Sequence, residues 1–471
     1  MIFTSWNFVI FFIFLASFLT IFKSTSHRLT ILLLASYIFY GVWNIGYLLL
    51  IFVSSFWGWG LGLLMYRSES LAVKKFSVGL SLVLSLGMLG FYKYANFLTE
   101  NFNSLFSIEP TTSFDILLPV GISFFTFQTM SYTIDLYRGN ISPCYSLKKF
   151  LLFVAFFPQL VAGPIVRAAD FLPQLEKKII FNKEDIVIGA QIFLGGAIQK
   201  MLFADNLSQY VDPVFTDPAL YSPITLWITL LAYSLQIFSD FCGYSLMAIG
   251  LARGLGFKLP PNFNMPYISL SVTEFWQRWH ISLSSWLRDY LYISLGGNRK
   301  GEFRIYVNLL ITMILGGLWH GASWNFILWG VGHGLALAIH KIWLKYTQGL
   351  TIKNLFVYKL LAWSLTFLTV ILLWIPFRTY EFSDSIVYFS RLVGNLDSDY
   401  NGFDWFHATS ILVIAIGISW HIAFILKAKF LFAFPAKSPT SWYFIISILF
   451  SFMMFLTLSP QNAAPFIYFQ F

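Results

Sequence analysis

Charged side chains are scarce in this sequence, and their scarcity excludes most soluble protein classes. Asp, Glu, Lys and Arg make up only 11% of the 471 residues, whereas soluble proteins carry about 25%. Hydrophobic residues make up 58%, and 53 residues are phenylalanine. A soluble core of this length does not bury so much apolar side chain, whereas a lipid bilayer solvates an apolar surface. We therefore predict one all-α domain over residues 1–471, embedded in membrane lipid.

Cysteine is nearly absent as well. Cys144 and Cys242 are the only two, and their wide separation provides neither a disulfide framework nor a cluster of metal ligands. We therefore expect no metal site and no bound cofactor. The start of the chain lacks a basic region followed by a small-residue cleavage site, so we expect its first apolar run to be retained as a span. No soluble linker, low-complexity tract or internal repeat is evident.

Long apolar runs recur along the whole chain. A span needs about 17 to 25 apolar residues, and runs of this kind predict about 10–12 transmembrane helices. The single runs lie at 6–22, 29–43, 45–64, 76–97, 116–134, 186–204, 221–251, 358–377, 407–426 and 441–459. A further apolar pair, 305–319 and 324–344, is joined at a glycine-rich break. The shorter run 149–163 ends at Gly163-Pro164 and predicts a re-entrant or interfacial piece.

The net charge of +9 would suggest a nucleic-acid partner in a soluble protein. In a membrane protein, the excess of Lys and Arg in cytoplasmic loops accounts for it, so we expect no nucleic-acid partner. Basic loops lie near 23–28, 67–75, 148–167, 341–359 and 427–437, and acidic loops lie near 100–115, 205–217 and 381–404. Their alternation predicts a multi-pass membrane protein with both termini outside. The pair 305–344 then enters from the cytoplasm and returns to it.

The segment from Pro266 to Gly301 departs from the plain apolar pattern. Ser271 followed by Glu274 is a capping box that predicts a helix start, and Gly296-Gly297 predicts its end. Apolar residues fall on one helical face: Trp276, Trp279, Leu283, Trp286, Leu287 and Tyr290. Polar residues fall on the other: Glu274, Arg278, Ser285, Arg288 and Asp289. This amphipathic helix is predicted to lie at or just within the membrane interface.

His280 projects to the edge of that apolar face, and alone it is best interpreted as a buried histidine satisfied by a hydrogen bond. Basic residues surround the helix: Lys258, Arg278, Arg288, Arg299, Lys300 and Arg304. Positive charge on the cytoplasmic side explains them as a group. They also suit a landing site for an anionic donor, because guanidinium groups match phosphates.

His320 lies inside the apolar hairpin, in the stretch Gly316-Gly-Leu-Trp319-His320-Gly321-Ala-Ser-Trp324-Asn325. Ionisable groups at membrane depth are rare and mark functional sites. Helix packing explains the glycines, because Gly317 and Gly321 form a small-xxx-small pair, but not the histidine. A functional interpretation explains both, since glycines admit a substrate closely and leave N–H groups for a developing oxyanion. A low-dielectric site also favours the neutral imidazole that a general base needs.

The remaining polar residues of the spans carry weaker signals. His333, in Gly-Val-Gly-His-Gly, is predicted to support the His320 region. His340, His407 and His421 lie near span ends and are interpreted as ordinary structural histidines. Asp240 lies within the span 221–251 and needs a partner at that depth. It is equally well interpreted as a residue that orients a histidine and as part of a polar tunnel.

Several motifs together resemble the membrane-bound O-acyltransferase family, in particular its alginate O-acetylation branch. The first set is Glu274-Phe-Trp-Gln-Arg-Trp-His280-Ile-Ser-Leu-Ser, Leu295-Gly-Gly-Asn-Arg299 and Gly316-Gly-Leu-Trp-His320-Gly-Ala. Further motifs extend the resemblance over the whole chain: Pro119 to Gln128, Phe157 to Pro164, Asn262 to Tyr267 and the tail Ala464 to Phe471. One departure concerns Gly243-Tyr-Ser-Leu246, where relatives often read Gly-Tyr-Ser-Asp. A role for a carboxylate at that position is therefore not carried over.

The resemblance implies a ring of helices around a tunnel, with His320 as the catalytic histidine and His280 as its second functional histidine. It also implies an O-acetyltransferase that uses acetyl-CoA to modify a secreted or cell-surface polysaccharide. The acceptor is either the glycan or a serine on an extracytoplasmic partner protein. We expect a set of substrate-binding residues: Trp319, Trp276, Arg278, Arg288, Asn325 and Asp240. D-alanyl transfer to teichoic acid from a carrier protein, and proton-coupled transport, remain alternatives.

Overall fold

The computed structural model describes residues 1–108, 114, 116–161, 163–348, 355–394, 404–405 and 408–425, with the isolated positions 446, 449 and 453. Within these ranges the regular elements are helices, and no β-strand is formed. The prediction of an all-α fold is therefore confirmed. His407, the tail 464–471 and almost all of the predicted span 441–459 lie outside the described residues.

Eighteen helices are described and are numbered here along the chain. The first nine are α1 (Trp6–Ile21), α2 (Thr25–Gly41), α3 (Gly46–Arg67), α4 (Leu71–Phe106), α5 (Ile122–Tyr137), α6 (Leu147–Ala155), α7 (Phe157–Leu160), α8 (Ala168–Glu176) and α9 (Lys183–Ile198). The others are α10 (Asp205–Thr216), α11 (Pro223–Gly254), α12 (Val272–Arg278), α13 (Ile281–Trp286), α14 (Glu302–His320), α15 (Trp324–Tyr346), α16 (Phe356–Arg378), α17 (Phe382–Leu392) and α18 (Ala408–Ile425).

Seven helical stretches among the described residues are long and apolar enough to cross a membrane. They are α3, α4, α11, α14, α15, α16 and the stretch Lys183–Thr216, in which α9 runs through a π-helical turn into α10. Two shorter helices, α1 and the Ser410–Ile422 part of α18, are also apolar. A polytopic all-helical protein is thus confirmed, and the predicted ring around a tunnel stays a prediction.

The chain divides into two compact units. The first comprises Met1–Phe193 and Tyr244–Pro260, and the second comprises Leu194–Gly243 and Pro261–Phe471. In the first unit, basic segments come together: Lys148 Nζ donates to Ser26 Oγ (3.0 Å), and Arg253 Nε pairs with Asp185 Oδ1 (2.9 Å). These contacts agree with the predicted grouping of basic loops. The run 149–163 forms α6 and α7, whose residues 150–160 are buried within this unit.

The second unit has a basic end and an acidic end. At the basic end, Lys345 Nζ pairs with Glu302 Oε1 (2.8 Å), which joins the end of α15 to the start of α14. At the acidic end, Arg378 Nη2 pairs with Asp212 Oδ1 (3.0 Å), which joins the end of α16 to α10. Ser222, just before α11, donates to Asp404 at this same end. His320 is the last residue of α14 and therefore lies away from the basic end.

Glycines bring the backbones of α14 and α15 into direct contact. A Cβ atom at Gly317 would lie 2.1 Å from the carbonyl oxygen of Phe326, and one at Gly330 would lie 2.5 Å from that of Met313. A Cβ atom at Gly321 would lie 2.0 Å from the Phe326 ring. Helix packing therefore accounts for Gly317 and Gly321, and the predicted close approach of substrate is not needed to explain them.

We predict that Gly317→Ala and Gly330→Ala each lower the melting temperature of the detergent-solubilised protein. The added methyl groups push the two backbones apart, and overpacking of this kind costs about 1–3 kcal/mol. Gly195→Ala is the matched control, because Gly195 is helical and has nothing within 4 Å of its Cβ position. Alanine is the better helix former there, so this variant should keep or raise the melting temperature. Equal losses at all three positions would contradict the packing argument.

Candidate active site

The segment after Ser271 forms two helices, and a sharp turn of the backbone separates them. Ser271 Oγ accepts a hydrogen bond from Glu274 N (3.1 Å), which confirms the predicted helix start. α12 ends at Arg278, and α13 begins at Ile281 and continues through a π-helical turn to Tyr292. His280 lies between them with a left-handed φ of 43°. The prediction of one continuous helix to Gly296 is therefore wrong at this point.

The two helices form a re-entrant element with His280 at its tip. Thr273 Oγ1 lies 2.8 Å from His340 Nδ1, near the basic end of α15. His280 lies farther from that end and is fully buried. Its ring contacts Trp319 beside the end of α14. The chain then returns, since Asn308 Nδ2 near the start of α14 donates to the Gly297 carbonyl (3.1 Å). The segment therefore enters the unit and turns back, instead of lying along the interface with His280 at the edge of a face.

Asn262 holds the break in place. Its Oδ1 accepts hydrogen bonds from Ser282 N (3.3 Å) and Ser282 Oγ (2.9 Å), and its backbone carbonyl accepts one from Ile281 N (2.9 Å). The same Oδ1 lies 3.1 Å from His280 Nδ1. The contact with the Ser282 N–H identifies this Asn262 atom as the amide oxygen, which can only accept. Nδ1 of His280 must therefore donate to it, which leaves the lone pair on Nε2. His280 Nε2 has no hydrogen-bond partner among the described residues.

His320 lies in an aromatic cage. It is 5% exposed, and its ring centre is 4.9 Å from that of Trp319, 5.1 Å from Trp329 and 5.0 Å from Phe377. Phe326 stacks at 6.3 Å. The cage therefore takes side chains from α14, α15 and α16. The rings exclude water from the imidazole on several sides.

Histidine and tryptophan rings alternate through this part of the second unit. We call them the histidine–tryptophan row, which consists of His280, Trp319, His320, Trp329, His333 and Trp276. Successive ring centres are 5.9, 4.9, 5.1, 4.8 and 5.1 Å apart, and each pair meets edge to face. Trp276 Nε1 donates to His333 Nδ1 (3.3 Å). The row brings together the two histidines expected to act and the one expected to support them.

A cavity of about 470 Å³ adjoins the Trp276 end of the row. Its apolar lining comes partly from α14 and α15, and its polar lining is Thr273, Gln277, Ser284, Ser285, Asn298 and Thr312. Lys341 supplies positive charge, and its Nζ donates to Asn298 Oδ1 (2.9 Å), whereas the Arg288 guanidinium at the cavity is paired with Asp289. Because Trp276 both lines the cavity and bonds to His333, its indole forms a wall between the cavity and the row.

Four predicted substrate-binding residues, Arg278, Arg288, Asn325 and Asp240, have ion-pair or side-chain amide partners in the protein. Arg288 Nε and Nη2 donate to Asp289 Oδ1 (2.6 Å) and Oδ2 (3.1 Å). Arg278 Nε pairs with Glu274 Oε1 (2.8 Å), and its Nη1 donates to the Asn264 carbonyl. Asn325 Nδ2 donates to the carbonyls of Thr379 and Glu381 (3.0 Å each), so it ties the start of α15 to the loop after α16.

Asp240 pairs with Lys200 Nζ (2.9 Å), which also pairs with Asp205 (2.7 Å). The side chains of all three are at most 4% exposed. An ion-pair partner of Asp240 is therefore a lysine of the π-helical turn. The predicted roles of Arg278, Asn325 and Asp240 in binding substrate stay predictions, as do those of Trp319, Trp276 and Arg288.

Sequence reasoning missed four residues that shape the site: Asn262, Trp329, Phe377 and Lys200. Lys200 carried a usable signal, because a lysine inside the predicted span 186–204 requires a partner. Asn262 belongs to a motif that carried the family resemblance, yet nothing local links it to His280. Trp329 and Phe377 read as ordinary apolar residues of spans. Their importance comes from the packing of three helices around His320.

Comparisons with known proteins find similar chains. A family model described as the membrane-bound O-acyltransferase family matches residues 139–380, which include the row, the cavity and Asn262. A probable alginate O-acetylase of Pseudomonas putida is 37% identical over 98% of this chain and 99% of its own length. One of Pseudomonas aeruginosa is 43% identical over 79% of this chain and 71% of its own. A peptidoglycan O-acetyltransferase of Helicobacter pylori is 38% identical over 77% and 73%.

We predict that His280→Gly leaves the protein more stable than His280→Ala. Both variants lose the imidazole, but a left-handed backbone costs a non-glycine residue about 1–2 kcal/mol. In an ordinary helix the order reverses, because alanine is favoured over glycine by about 1 kcal/mol. The same pair at His340, inside α15, is the control and should favour alanine. Melting temperatures that favour alanine at both positions would contradict the left-handed backbone at His280.

Proposed function

Since the chain belongs to the membrane-bound O-acyltransferase family and is a multi-pass bacterial membrane acyltransferase, we propose that it O-acetylates a secreted or cell-surface polysaccharide. The donor is acetyl-CoA from the cytosol, and the acetyl group crosses the membrane through the protein. Alginate is the polymer suggested by the similar proteins described as alginate O-acetylases. Another similar protein is described as a peptidoglycan O-acetyltransferase, so peptidoglycan is a second possible polymer. The observation that carries the proposal is the caged His320 at the end of α14.

The cavity at the basic end suits the donor. Coenzyme A combines anionic phosphates with a long, mostly apolar arm that ends in the thioester. Lys341 supplies charge for the phosphates, and Arg288, which is 64% exposed, supplies more when a phosphate replaces its partner Asp289. Side chains of α14 and α15 supply an apolar wall for the arm. The thioester then reaches the row past Trp276. This placement agrees with the sequence-based expectation that the basic end faces the cytosol.

The chemistry at His320 is general-base catalysis of acyl transfer. The neutral imidazole removes the proton of an acceptor hydroxyl as its oxygen attacks the acetyl carbonyl. A C–O ester bond forms, the C–S bond breaks, and the proton passes from His320 to the departing thiolate. His280 positions the donor or stabilises charge through its Nε2, which the Asn262 contact leaves available.

Two acceptors fit this reaction: a hydroxyl of the glycan, or a serine of an extracytoplasmic partner protein that completes the transfer. In both cases the acceptor approaches His320 from the acidic end. The same reaction with a D-alanyl carrier protein in place of acetyl-CoA would modify teichoic acid. The row and the cavity suit acyl transfer, whereas a proton-coupled transporter has no use for the cavity.

We predict that His320→Ala abolishes acetylation of the surface polymer, with a loss of about 10²-fold or more, because general-base catalysis contributes about 10²–10⁴-fold. The rate of acetylation is measured by supplying membranes with labelled acetyl-CoA and recovering the label in the polymer. His27→Ala, which removes an exposed histidine of the first unit, is the control. Unchanged label in His320→Ala, or label that enters only from a D-alanyl carrier, would contradict the proposal.

We predict that Lys341→Gln raises the KM for acetyl-CoA severalfold and changes kcat little, because the lysine contacts the donor before and during the reaction alike. Lys345→Gln is the matched control, one helical turn farther along α15. It pairs with Glu302 and does not line the cavity. The difference between the two variants should shrink at high salt, since charge–phosphate attraction is screened. Equal KM values for both variants would place the donor elsewhere.

A further inference from the structure

A second cavity lies among α11, α16 and α18, and its lining residues differ from those of the cavity beside Trp276. Its volume is about 310 Å³, and small-molecule sites in proteins occupy about 300–1,000 Å³. Its lining is almost entirely apolar. The acyl transfer proposed above gives this cavity no role, although it is large enough to hold a ligand.

The cavity adjoins a surface of α18 that faces lipid. Three of its lining residues, Ile418, Ile422 and Ile425, are 47%, 50% and 58% exposed. Exposed isoleucines on a helix of a membrane protein are solvated by the bilayer. An apolar cavity also offers water few hydrogen-bond partners, so this one suits hydrocarbon better than water.

The isoleucines of α18 give the length of the cavity. Ile414, Ile418, Ile422 and Ile425 all line it and follow one another at intervals of about one helical turn. A rise of about 1.5 Å per residue places the first and the last about 16 Å apart. One leaflet provides about half of a hydrocarbon core that is about 30 Å thick. The column of isoleucines therefore matches one acyl chain of one leaflet.

α16 supplies a flat wall and a positive charge on one face. Trp363 and Phe367 line the cavity, and their rings stack 5.5 Å apart with an interplanar angle of 10°. Lys359 is exposed and lies one turn before Trp363, so the three residues share a face of the helix. Trp343 Nε1 donates to Tyr358 Oη (3.1 Å), which joins the start of α16 to the basic end of α15. The apolar wall therefore leads to an ammonium group at the basic end.

We propose that this cavity binds one acyl chain of an anionic phospholipid, with the lipid phosphate at Lys359. The chain lies along the isoleucines of α18 and against the stacked rings of α16. A lysine near the membrane surface attracts anionic lipids, whereas a zwitterionic headgroup brings its own cation and gains less. The lipid comes from the leaflet at the basic end. The site is separate from the donor cavity and does not depend on the chemistry at His320.

Tyr267 connects the lipid site with the segment that carries His280. Its ring lines the cavity, its hydroxyl donates to the Ser234 carbonyl (2.7 Å), and its own carbonyl accepts from Trp363 Nε1 (2.8 Å). The same ring contacts Trp279 at 6.1 Å, and Trp279 directly precedes His280. A chain in the cavity therefore packs on a residue that in turn packs beside the second functional histidine.

Occupancy of the site therefore supports the position of His280. Met265, two residues before Tyr267, has a left-handed φ of 46°, which is unfavourable for a residue other than glycine. A segment with such a backbone persists only when its surroundings hold it, and the acyl chain adds packing against Tyr267. This second step rests on the proposed function, whereas the lipid site itself does not.

Native mass spectrometry of the full-length protein tests the site without any catalytic readout. The protein is stripped of lipid by extended washing in detergent and titrated with phosphatidylglycerol, or with phosphatidylcholine that carries the same chains. We expect one phosphatidylglycerol per protein to bind about fivefold more tightly than phosphatidylcholine, as one lysine near a lipid phosphate warrants. Lys359→Gln should remove this preference and leave binding of the chain.

Ile418→Trp and Ile416→Trp form the matched pair for the cavity. Both isoleucines lie on α18 and both are 47% exposed. Ile418 lines the cavity, whereas Ile416, on the described part of the same helix, does not. Ile418→Trp should fill the cavity and lower the bound lipid at least about tenfold, whereas Ile416→Trp should bind lipid as the unchanged protein does. Since both variants add the same side chain at an exposed position, a general loss of folding affects them alike.

Three outcomes would overturn the proposal: equal affinity for the two phospholipids, lipid that stays bound in Ile418→Trp, or equal loss of lipid in the two tryptophan variants. The last result would assign the lipid to the general apolar surface. Acetyl transfer from labelled acetyl-CoA in reconstituted membranes tests the second step, and Ile418→Trp should be severalfold slower than Ile416→Trp. Equal rates despite loss of the lipid would refute only the link to His280. Specific lipid binding by a protein that transfers no acetyl group would refute only the proposed function.

Discussion

The direct contact between the backbones of α14 and α15 sets the positions of the central rings of the histidine–tryptophan row. Glycines at 317 and 330 let the two helices approach until a single added carbon would collide with a carbonyl oxygen. At that distance Trp319 and His320 on one helix meet Trp329 on the other. The re-entrant tip with His280 then packs on Trp319, and α12 packs on α15 through Trp276 and His333. A wider spacing would leave these rings without their edge-to-face neighbours.

The sequence alone was sufficient for the features that depend on local pattern. Apolar length predicted the spans, the Ser271–Glu274 pair predicted the start of α12, and the cost of an imidazole at membrane depth pointed to His320. It did not predict the break at His280, because neither glycine nor proline marks it. The break depends on Asn262, which is 18 positions away. The partners of Asn325 are farther still, in the loop after α16.

Buried charged residues, too, were predicted only as far as the local sequence allows. Asp240 was recognisable as a carboxylate in need of a partner, but its role depended on which element came near. A partner is Lys200 in a π-helical turn, which also holds Asp205. Removal of Asp240 disturbs a buried charge cluster, although Lys200 keeps Asp205 as a partner, and changes to buried ion pairs are destabilising. Loss of activity in an Asp240 variant would therefore not by itself place that residue in contact with substrate.

The place of His320 within its helix has one more consequence. His320 is the final residue of α14. The carbonyl groups of the last turn of a helix carry partial negative charge. The aromatic cage excludes water from the imidazole, whereas the helix terminus presents negative partial charge to it. In the reaction proposed above, the cage would keep water away from the base, and the terminal carbonyl groups would stabilise the positive charge while the proton is in transit. A helix that ended one turn later would keep the cage but place its terminal carbonyls beyond the ring.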